Sequence, residues 1–252
     1  MMNLEKLGGV GASEVGKLFT KEGVKSKTAM TMAFEKAKEL IFGYKKNITT
    51  IAMQHGLFNE EEAFYEVVKP CFPNSTLRSS ESVWINDNLW ATPDVTDDVE
   101  GMTLDIKCPY TIRTFFKNID KLPATYIAQN QCQMLATGHR KGMFCIYLTS
   151  NQIDEFGNKI EYEIDINKRH RFIPLDYQEE YGKEIVSRVD DFLRNRDLIL
   201  DNLSKSSELS DLELFDLHLN SKVTRLQDKS NLLAWENKIV RNGTDYYVKE
   251  NK

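Results

Sequence analysis

Several features that identify common protein classes are missing from this sequence of 252 residues. It contains no run of about 18 apolar residues, so no membrane-spanning helix is expected. The first fifteen residues, MMNLEKLGGVGASEV, have no apolar core of the secretory type. The four cysteines, at positions 71, 108, 132 and 145, show no CxxC spacing, which argues against a zinc knuckle, an iron–sulfur centre and a disulfide framework. These absences indicate a reducing cytosol.

A positive net charge is also missing. The 33 Lys and Arg residues face 38 Asp and Glu residues, and the formal net charge is −5. Contacts with DNA phosphates require Lys and Arg, so this balance argues mildly against a nucleic-acid partner. The charge is uneven, however, because residues 1–47 hold nine Lys against five Glu, and residues 201–216 hold five acids against one Lys. A basic lobe with an acidic tail is still compatible with DNA binding.

The chain does contain amphipathic segments typical of an α/β domain with a mixed central β-sheet flanked by helices. Apolar spacing predicts helices over TAMTMAFEKAKELIFGY, IAMQHGLFNEEEAFYEVV, ATYIAQNQCQMLA and QEEYGKEIVSRVDDFLRNRDLIL, and a short helix at 14–19 capped by Ser13. Residues 71–82 are predicted as loop. Strands are predicted for the hairpin SVWINDNLWAT, for MTLDIK after a turn at 96–101, for GMFCIYLTS and for KIEYEIDI.

The strand MTLDIK carries charged residues at alternate positions. Alternation places Asp105 and Lys107 on one face, and Leu104 and Ile106 on the other. Asp94 follows the preceding strand, so the two carboxylates meet at one end of the sheet if those strands pair. Two close carboxylates bind a hard cation such as Mg²⁺ or Mn²⁺, and a lysine beside them can orient or deprotonate a water. A solvated ion pair on a surface strand is the alternative interpretation.

Two helices carry further polar residues in suggestive positions. Gly56 and Glu60 share one face of the 50–68 helix, where a glycine would allow close approach to another backbone and bring Glu60 to a metal. The alternative is a solvated acidic face. The helix after Pro123 has a polar stripe that could hold a water or phosphate oxygens, or could simply be exposed: Tyr126, Gln129, Asn130, Gln133 and Thr137.

The Gly-rich segment GGVGAS leads into a predicted helix start. The free N–H groups and the positive end of a helix dipole suit an anion such as a terminal phosphate, although Gly-rich turns of this kind are common. Taken together, LGGVGASEV, MQHGLFNEE, ATPD, LDIKCPYTIRTF and YIAQNQCQM resemble, in this order, the lambda exonuclease family. These are the YqaJ-type viral recombinases of the PD-(D/E)XK nuclease superfamily. The resemblance spans residues 4–200 and implies a restriction-endonuclease-like core.

The resemblance implies roles for individual residues. The metal ligands would be the carboxylates of Asp94, Asp105 and Glu60 and the carbonyl of Ile106. Lys107 would be the catalytic lysine that positions or activates the attacking water, with the amide of Gln129 beside it. Asp105 stands where the family more often has the longer Glu, so its strand must shift slightly to reach the metal.

The resemblance also implies DNA-contacting residues. Ser13 falls where relatives bind a 5′-terminal phosphate. Lys6 takes the position of an assisting arginine, and it lacks the bidentate fork of a guanidinium. Arg113 would face the DNA backbone.

The implied activity is Mg²⁺-dependent 5′-to-3′ exonuclease action, with two ions, on one strand of linear duplex DNA. The product would carry a 3′ overhang for a single-strand annealing protein, inside a bacterial host cell with a phage or prophage. Relatives form trimeric rings around DNA. Residues 1–203 would form the nuclease domain, and residues 204–252 an acidic linker and a small C-terminal extension with a hairpin in KIVRNGTDYYVK. Alternatives are a restriction or repair endonuclease, a non-catalytic DNA-end-binding scaffold, and an interaction protein with accidental motif matches.

Overall fold

The computed structural model describes residues 6–43, 50–78, 81–149, 151–153, 159–161 and 164–205. Its helices are α1 (Ala12–Val15), α2 (Lys27–Phe42), α3 (Ile51–Ala63), α4 (Lys69–Cys71), α5 (Ile112–Asp120), α6 (Ala124–Thr137) and α7 (Glu179–Lys205). Its strands are β1 (Val10–Gly11), β2 (Thr76–Leu77), β3 (Val83–Asn86), β4 (Leu89–Ala91), β5 (Val95–Asp97), β6 (Met102–Lys107), β7 (Lys141–Tyr147), β8 (Asn151–Ile153), β9 (Lys159–Glu161) and β10 (His170–Asp176). The predicted α/β class with a mixed sheet is confirmed.

A five-stranded sheet in the order β10-β7-β6-β5-β2 forms the centre of the fold. β6 and β7 are parallel, and the other neighbouring strands are antiparallel. Residues 102–106 of β6 are all buried, because apolar layers cover both faces of this central strand. One layer contains Phe115 of α5 together with Phe144 and Ile146 of β7. The opposite layer contains Phe64 and Val67 of a π-helical turn, Phe64–Val68, that continues α3.

A second sheet in the order β1-β4-β3 lies under the long helices. The predicted hairpin is confirmed as β3 and β4, and β1 adds in parallel with Val10 opposite Leu89. The largest apolar cluster joins this sheet to α2, α6 and α7 through side chains such as Phe34, Leu89 and Phe192. This cluster fixes the Gly-rich segment and the long helices relative to each other.

Helix limits follow local capping. The side chains of Ser26 and Thr50 accept hydrogen bonds from the N–H groups of Ala29 and Met53, both at 3.2 Å. Gly43 ends α2 with a φ of 62°, a left-handed conformation that glycine adopts without strain. The predicted Ser13 cap is wrong. Gly11 precedes α1, its N–H donates to the Glu14 carboxylate at 3.3 Å, and Ser13 is exposed inside the helix.

Three strand predictions need correction. Asp94 precedes β5, a strand predicted as turn, and β5 rather than the hairpin strand β4 pairs with β6. β2 lies in the segment predicted as loop. The antiparallel neighbour of β7 is β10, a strand that was not predicted. Part of KIEYEIDI instead forms β9, which pairs with β8. β2 and β5 are too short for periodicity to reveal, and Pro174 in β10 is tolerated only because β10 is an edge strand.

Two other predictions concern residues that lie outside the described part of the chain: the acidic linker and the C-terminal hairpin. Across the described ranges, no helix has both the length and the apolar character that a membrane crossing requires.

Candidate active site

The predicted catalytic pair lies at the carboxyl end of β6. In the pairing of β6 with β7, Asp105 is opposite Phe144 and Lys107 is opposite Ile146. Phe144 and Ile146 belong to the apolar layer under α5, so Asp105 and Lys107 face the same layer. Leu104 and Ile106 belong to the other apolar layer. The alternation predicted for MTLDIK is confirmed.

Asp105 is fully buried and contacts three side chains. Its Oδ1 atom accepts hydrogen bonds from Gln129 Nε2 at 3.0 Å and from Gln133 Nε2 at 2.8 Å. Its Oδ2 atom lies 2.5 Å from Lys107 Nζ. Lys107 Nζ also donates to Gln129 Oε1 at 3.4 Å. Gln129 therefore bridges the carboxylate and the ammonium, next to the lysine as predicted.

Gln133 was predicted only as a member of the polar stripe, and its contact with Asp105 was not predicted. It belongs to the polar stripe of α6, and its spacing of four residues from Gln129 places both amides on one face of the helix. That spacing was the signal for its contact with Asp105. Asn130 Nδ2 donates to Gln133 Oε1 at 3.1 Å and so orients the second amide.

Asp94 joins the cluster from the loop before β5. Its Oδ2 atom accepts a hydrogen bond from the N–H of Ile106 at 2.7 Å, which ties the loop to β6. Burial raises the pKa of Asp94 well above its usual range, and the negative charge of Asp105 adds to this effect. The charge of Glu60 also raises this pKa, whereas Lys107 and the Ile106 hydrogen bond lower it.

Glu60 reaches the cluster from α3. Burial raises the pKa of Glu60, the Lys107 charge lowers it, and the Asp105 charge raises it. The charges of Glu60, Asp94 and Asp105 therefore interact with one another. Gly56 does not explain this approach, since a Cβ atom at that position would meet only the Cys108 carbonyl oxygen, at 4.0 Å. The packing of this chain leaves room for alanine at position 56.

Lys107 is surrounded by acceptors. Burial alone would lower its pKa, but the carboxylates of Asp105 and Asp94 outweigh burial and raise the pKa above its usual value. The ammonium therefore stays protonated at neutral pH in this arrangement. It lies 5.1 Å from the centre of the Tyr126 ring, whose face is a further site of attraction for a cation.

The cluster has the donor chemistry of a site for a hard divalent cation, because Asp94, Asp105 and Glu60 supply carboxylate oxygens. Asp105 Oδ2 is a buried atom, and among the described residues its charge is compensated by the Lys107 ammonium, 2.5 Å away. In the described part of the chain, however, no three His, Cys, Asp or Glu side chains are arranged to hold one ion. The donor set fits a cation, and the side chains would have to turn from their present partners to bind it.

Comparison with known proteins assigns the chain to a family. Residues 5–140, more than half of the chain, match the YqaJ-like viral recombinase domain. The chain belongs to the YqaJ-like family. No curated protein matches the sequence.

Solved structures share the fold of this YqaJ-like protein at low sequence identity. An alkaline exonuclease (LHK-Exo) from Laribacter hongkongensis is 22% identical with a TM-score of 0.63, over 80% of this chain and 94% of that chain. The structure of LHK-Exo in complex with dAMP is 21% identical with a TM-score of 0.64, over 81% of this chain and 95% of that chain. A phage related exonuclease from Haemophilus somnus 129PT is 18% identical with a TM-score of 0.64, over 77% and 96%. The restriction-endonuclease-like fold is confirmed, and family and fold together support a nuclease.

The Gly-rich segment of this YqaJ-like protein is tightly packed. A Cβ atom on Gly9 would lie 2.6 Å from the Trp90 ring, and one on Gly16 would lie 2.7 Å from the backbone of Thr125 at the start of α6. These glycines allow α1 to approach α6 and the second sheet closely. The α1 helix is therefore held against the helix that carries the amides of the site.

Buried charges hold the same segment, and sequence reasoning missed them. The N–H of Gly8 donates to Glu39 at 3.0 Å, and its carbonyl accepts from Arg196 at 2.8 Å. Lys36, which is 2% exposed, lies 3.1 Å from Glu14 Oε2. On amphipathic helices such charges resemble a solvated face, so the sequence carried no signal that they are buried.

The residues proposed for DNA contacts are Ser13, Lys6 and Arg113, and two of them are exposed. Ser13 is exposed on α1, and Arg113 is exposed in the first turn of α5. Lys6 Nζ donates to the hydroxyl of Ser82 and lies 5.7 Å from the centre of the Trp90 ring. Their roles stay predictions.

Proposed function

We propose that the protein is a divalent-metal-dependent 5′-to-3′ exodeoxyribonuclease that degrades one strand of linear double-stranded DNA and leaves a 3′ overhang. The observation that carries this proposal is the meeting of Asp94, Asp105, Lys107 and Gln129 at the end of β6. A strand end that combines two carboxylates, a lysine and an amide supplies what phosphodiester hydrolysis needs.

Metal binding would use Asp94, Asp105, Glu60 and the Ile106 carbonyl, with two Mg²⁺ ions or with Mn²⁺. When bound, such ions lower the pKa of a coordinated water and supply positive charge next to the phosphoryl oxygens. The carboxylates would exchange their present donors for this role. Asp94 Oδ2 would leave the N–H of Ile106, and Asp105 Oδ2 would leave the ammonium of Lys107.

Lys107 would then be free to donate to the attacking water and to the scissile phosphate. Since its pKa is raised by the neighbouring carboxylates, it would act as a donor that positions water and attracts phosphate charge. Gln129 would keep the ammonium in place through its Oε1 atom, and Gln129 and Gln133 would hold the Asp105 side chain through their Nε2 atoms.

The 5′ polarity of the proposed reaction would depend on the Gly-rich segment. Ser13 on α1 would bind the 5′-terminal phosphate, and Lys6 would assist from the adjoining loop. Arg113, at the start of α5, would contact the DNA backbone. The rigid packing of α1 against α6 supports this assignment, because α6 carries the two amides that contact Asp105.

The wider setting of the proposed activity comes from the family. Residues 1–203 would be the nuclease domain of a homotrimeric ring around DNA, in the cytoplasm of a bacterial host that carries a phage or prophage. The overhang would pass to a single-strand annealing protein. The extension at 204–252 is a separate proposed unit, and the described residues end at Lys205.

The test is digestion of linear and closed circular duplex DNA of the same sequence with Mg²⁺, with Lys107→Ala as the matched inactive variant. An exonuclease degrades the linear form and leaves the circle intact. Cutting of the circle would favour an endonuclease of restriction or repair type. Binding to ends without hydrolysis in any divalent metal would favour a non-catalytic scaffold.

A further inference from the structure

A groove beside α5 is not used by the proposed reaction. It has a volume of about 670 Å³ and lies between α5 and the segment that leads into β10. Residues that line it include Phe116, Ile119, Asp120, Lys168, His170 and Arg171. Lys168 and Arg171 are exposed, and within the described residues neither makes an ion pair.

The groove lies in a basic part of the described chain. Residues 111–121 and 166–171 together hold six Lys or Arg against the single acid Asp120, in a protein whose net charge is −5. Five of the six cations are Arg113, Lys117, Lys121, Lys168 and Arg171. The sixth, Arg169, lies over the Tyr147 ring and donates to the Leu148 carbonyl, so it does not belong to the groove surface. Without Arg169 the local excess is +4, and such an excess inside an acidic protein is typical of a surface that binds a polyanion.

An aromatic side chain stands at the rim of this basic surface. Phe116 is 57% exposed, although a phenyl ring on a helix ordinarily turns toward the core. The buried ring of Phe115 supports it, with ring centres 5.5 Å apart and an angle of 72° between the planes. An exposed, supported ring beside cations is the arrangement on which unpaired bases stack, while the cations contact the phosphates.

Strand register places the groove close to the catalytic lysine. Lys107 of β6 is opposite Ile146 of β7, and Ile146 is opposite Arg171 of β10. Two strand spacings separate Lys107 and Arg171, which is about 10 Å between their Cα atoms. Side chains opposite each other point to the same face of a sheet, so Lys107 and Arg171 share one face and lie on either side of the buried Ile146.

We propose that the groove between α5 and β10 binds single-stranded DNA, with Phe116 stacking on a base and with Lys168 and Arg171 contacting phosphates. The proposal rests on the proposed exonuclease activity for the source of the strand, which is the strand that hydrolysis leaves unpaired. A duplex does not fit this chemistry, because its bases already stack on one another and cannot reach Phe116.

The experiment measures binding of a fluorescent twelve-nucleotide oligothymidylate to the full-length chain by anisotropy, in chelator and at several NaCl concentrations. Phe116→Ala is expected to weaken binding about tenfold through loss of one base stack, and Phe116→Trp to retain it. Lys168→Glu with Arg171→Glu is expected to reduce the slope of log K against log[NaCl] by about 1.4, for two lost phosphate contacts.

The matched control is Lys141→Glu with Lys183→Glu, which changes the net charge equally. Lys141 begins β7 at the end opposite the groove, and Lys183 lies on α7. The control is expected to bind the oligonucleotide like the wild type. Equal binding by the groove variants and the control would overturn the proposal, as would equally tight binding of a twelve-residue polyglutamate.

The groove and the proposed function can fail separately. Wild-type digestion of linear duplex, together with unchanged oligonucleotide binding in the groove variants, would reject only the groove. Absence of hydrolysis under all conditions, together with the expected loss of binding in those variants, would reject the exonuclease and retain the groove as a single-strand site.

Discussion

Replacement of Lys107 by alanine is expected to lower the stability of the protein in a way that Mg²⁺ partly restores, and to abolish hydrolysis in a way that Mg²⁺ does not restore. Asp105 is fully buried, and the Lys107 ammonium, 2.5 Å away with a side chain 20% exposed, is the charge that compensates it. Removal of one partner of a fully buried ion pair costs about 3–5 kcal/mol. Two glutamine amides remain on Asp105 Oδ1 and Lys107 is partly exposed, so we expect a smaller cost, about 2 kcal/mol.

The assay is thermal unfolding of Lys107→Ala and wild type in chelator and in Mg²⁺. In chelator, the variant should unfold about 4–8 °C below the wild type, because about 1 kcal/mol shifts the Tm of a chain of this size by about 2–4 °C. Added Mg²⁺ should narrow the gap, since a cation at 100 times its Kd stabilises by about 2.7 kcal/mol and no longer competes with the ammonium. Hydrolysis should stay abolished, while much of the DNA binding remains.

The matched control is Lys141→Ala. Lys141 pairs with Glu100 at 3.1 Å, but their side chains are 57% and 55% exposed, so the loss should be under about 1 kcal/mol and independent of Mg²⁺. Wild-type thermal stability of Lys107→Ala in chelator would refute the compensation of Asp105 by Lys107. Full hydrolytic activity of the variant would refute the catalytic role of the lysine.

Two further predictions concern the same cluster, and a third concerns the Gly-rich segment. Asp94→Asn keeps an oxygen that accepts from the Ile106 N–H and removes a carboxyl group whose pKa is raised by burial. At neutral pH in chelator, this variant should therefore be more stable by about 1 kcal/mol, and it should not hydrolyse DNA. A Tm below that of the wild type would contradict this. Because the pKa values of Asp94 and Glu60 are both raised, protons should compete with Mg²⁺ above the ordinary carboxyl range of about 4. Activity at limiting Mg²⁺ should therefore decline as pH falls, with saturating Mg²⁺ moving the decline to lower pH, and a profile insensitive to Mg²⁺ concentration would count against this. Lys6→Ala and Ser13→Ala should reduce the preference for 5′-phosphorylated over 5′-hydroxyl ends, and an unchanged ratio of rates would remove the phosphate role.

The core of the site could be predicted because its signals are local. Alternation in β6 is enough to place Asp105 beside Lys107, and the helical period of α6 is enough to place the amide of Gln129 on a polar stripe. The end of α2 at Gly43 and the cap of α3 at Thr50 are also local features. Each of these depends on a few neighbouring residues, and tertiary packing leaves them unchanged.

The parts that could not be predicted depend on distant segments. β5 has three residues, and its pairing with β6 and β2 makes it a strand, so Asp94 reaches Ile106 by a route that periodicity does not reveal. The buried ion pairs of Lys36 and the contact of Arg196 with Gly8 join helices far apart in sequence. Their charged residues have the spacing of a solvated face, and only the assembled fold shows that they are buried.

The central claim is that the β6 cluster performs metal-dependent hydrolysis from the 5′ end of duplex DNA. The most direct measurement is a time course on linear duplex with different labels at the 5′ and 3′ termini of the same strand, in Mg²⁺ and in chelator. We expect early release of the 5′ label, retention of the 3′ label in the overhang, and no release of either in chelator. Release of the 3′ label first, or equal release in chelator, would contradict the central claim.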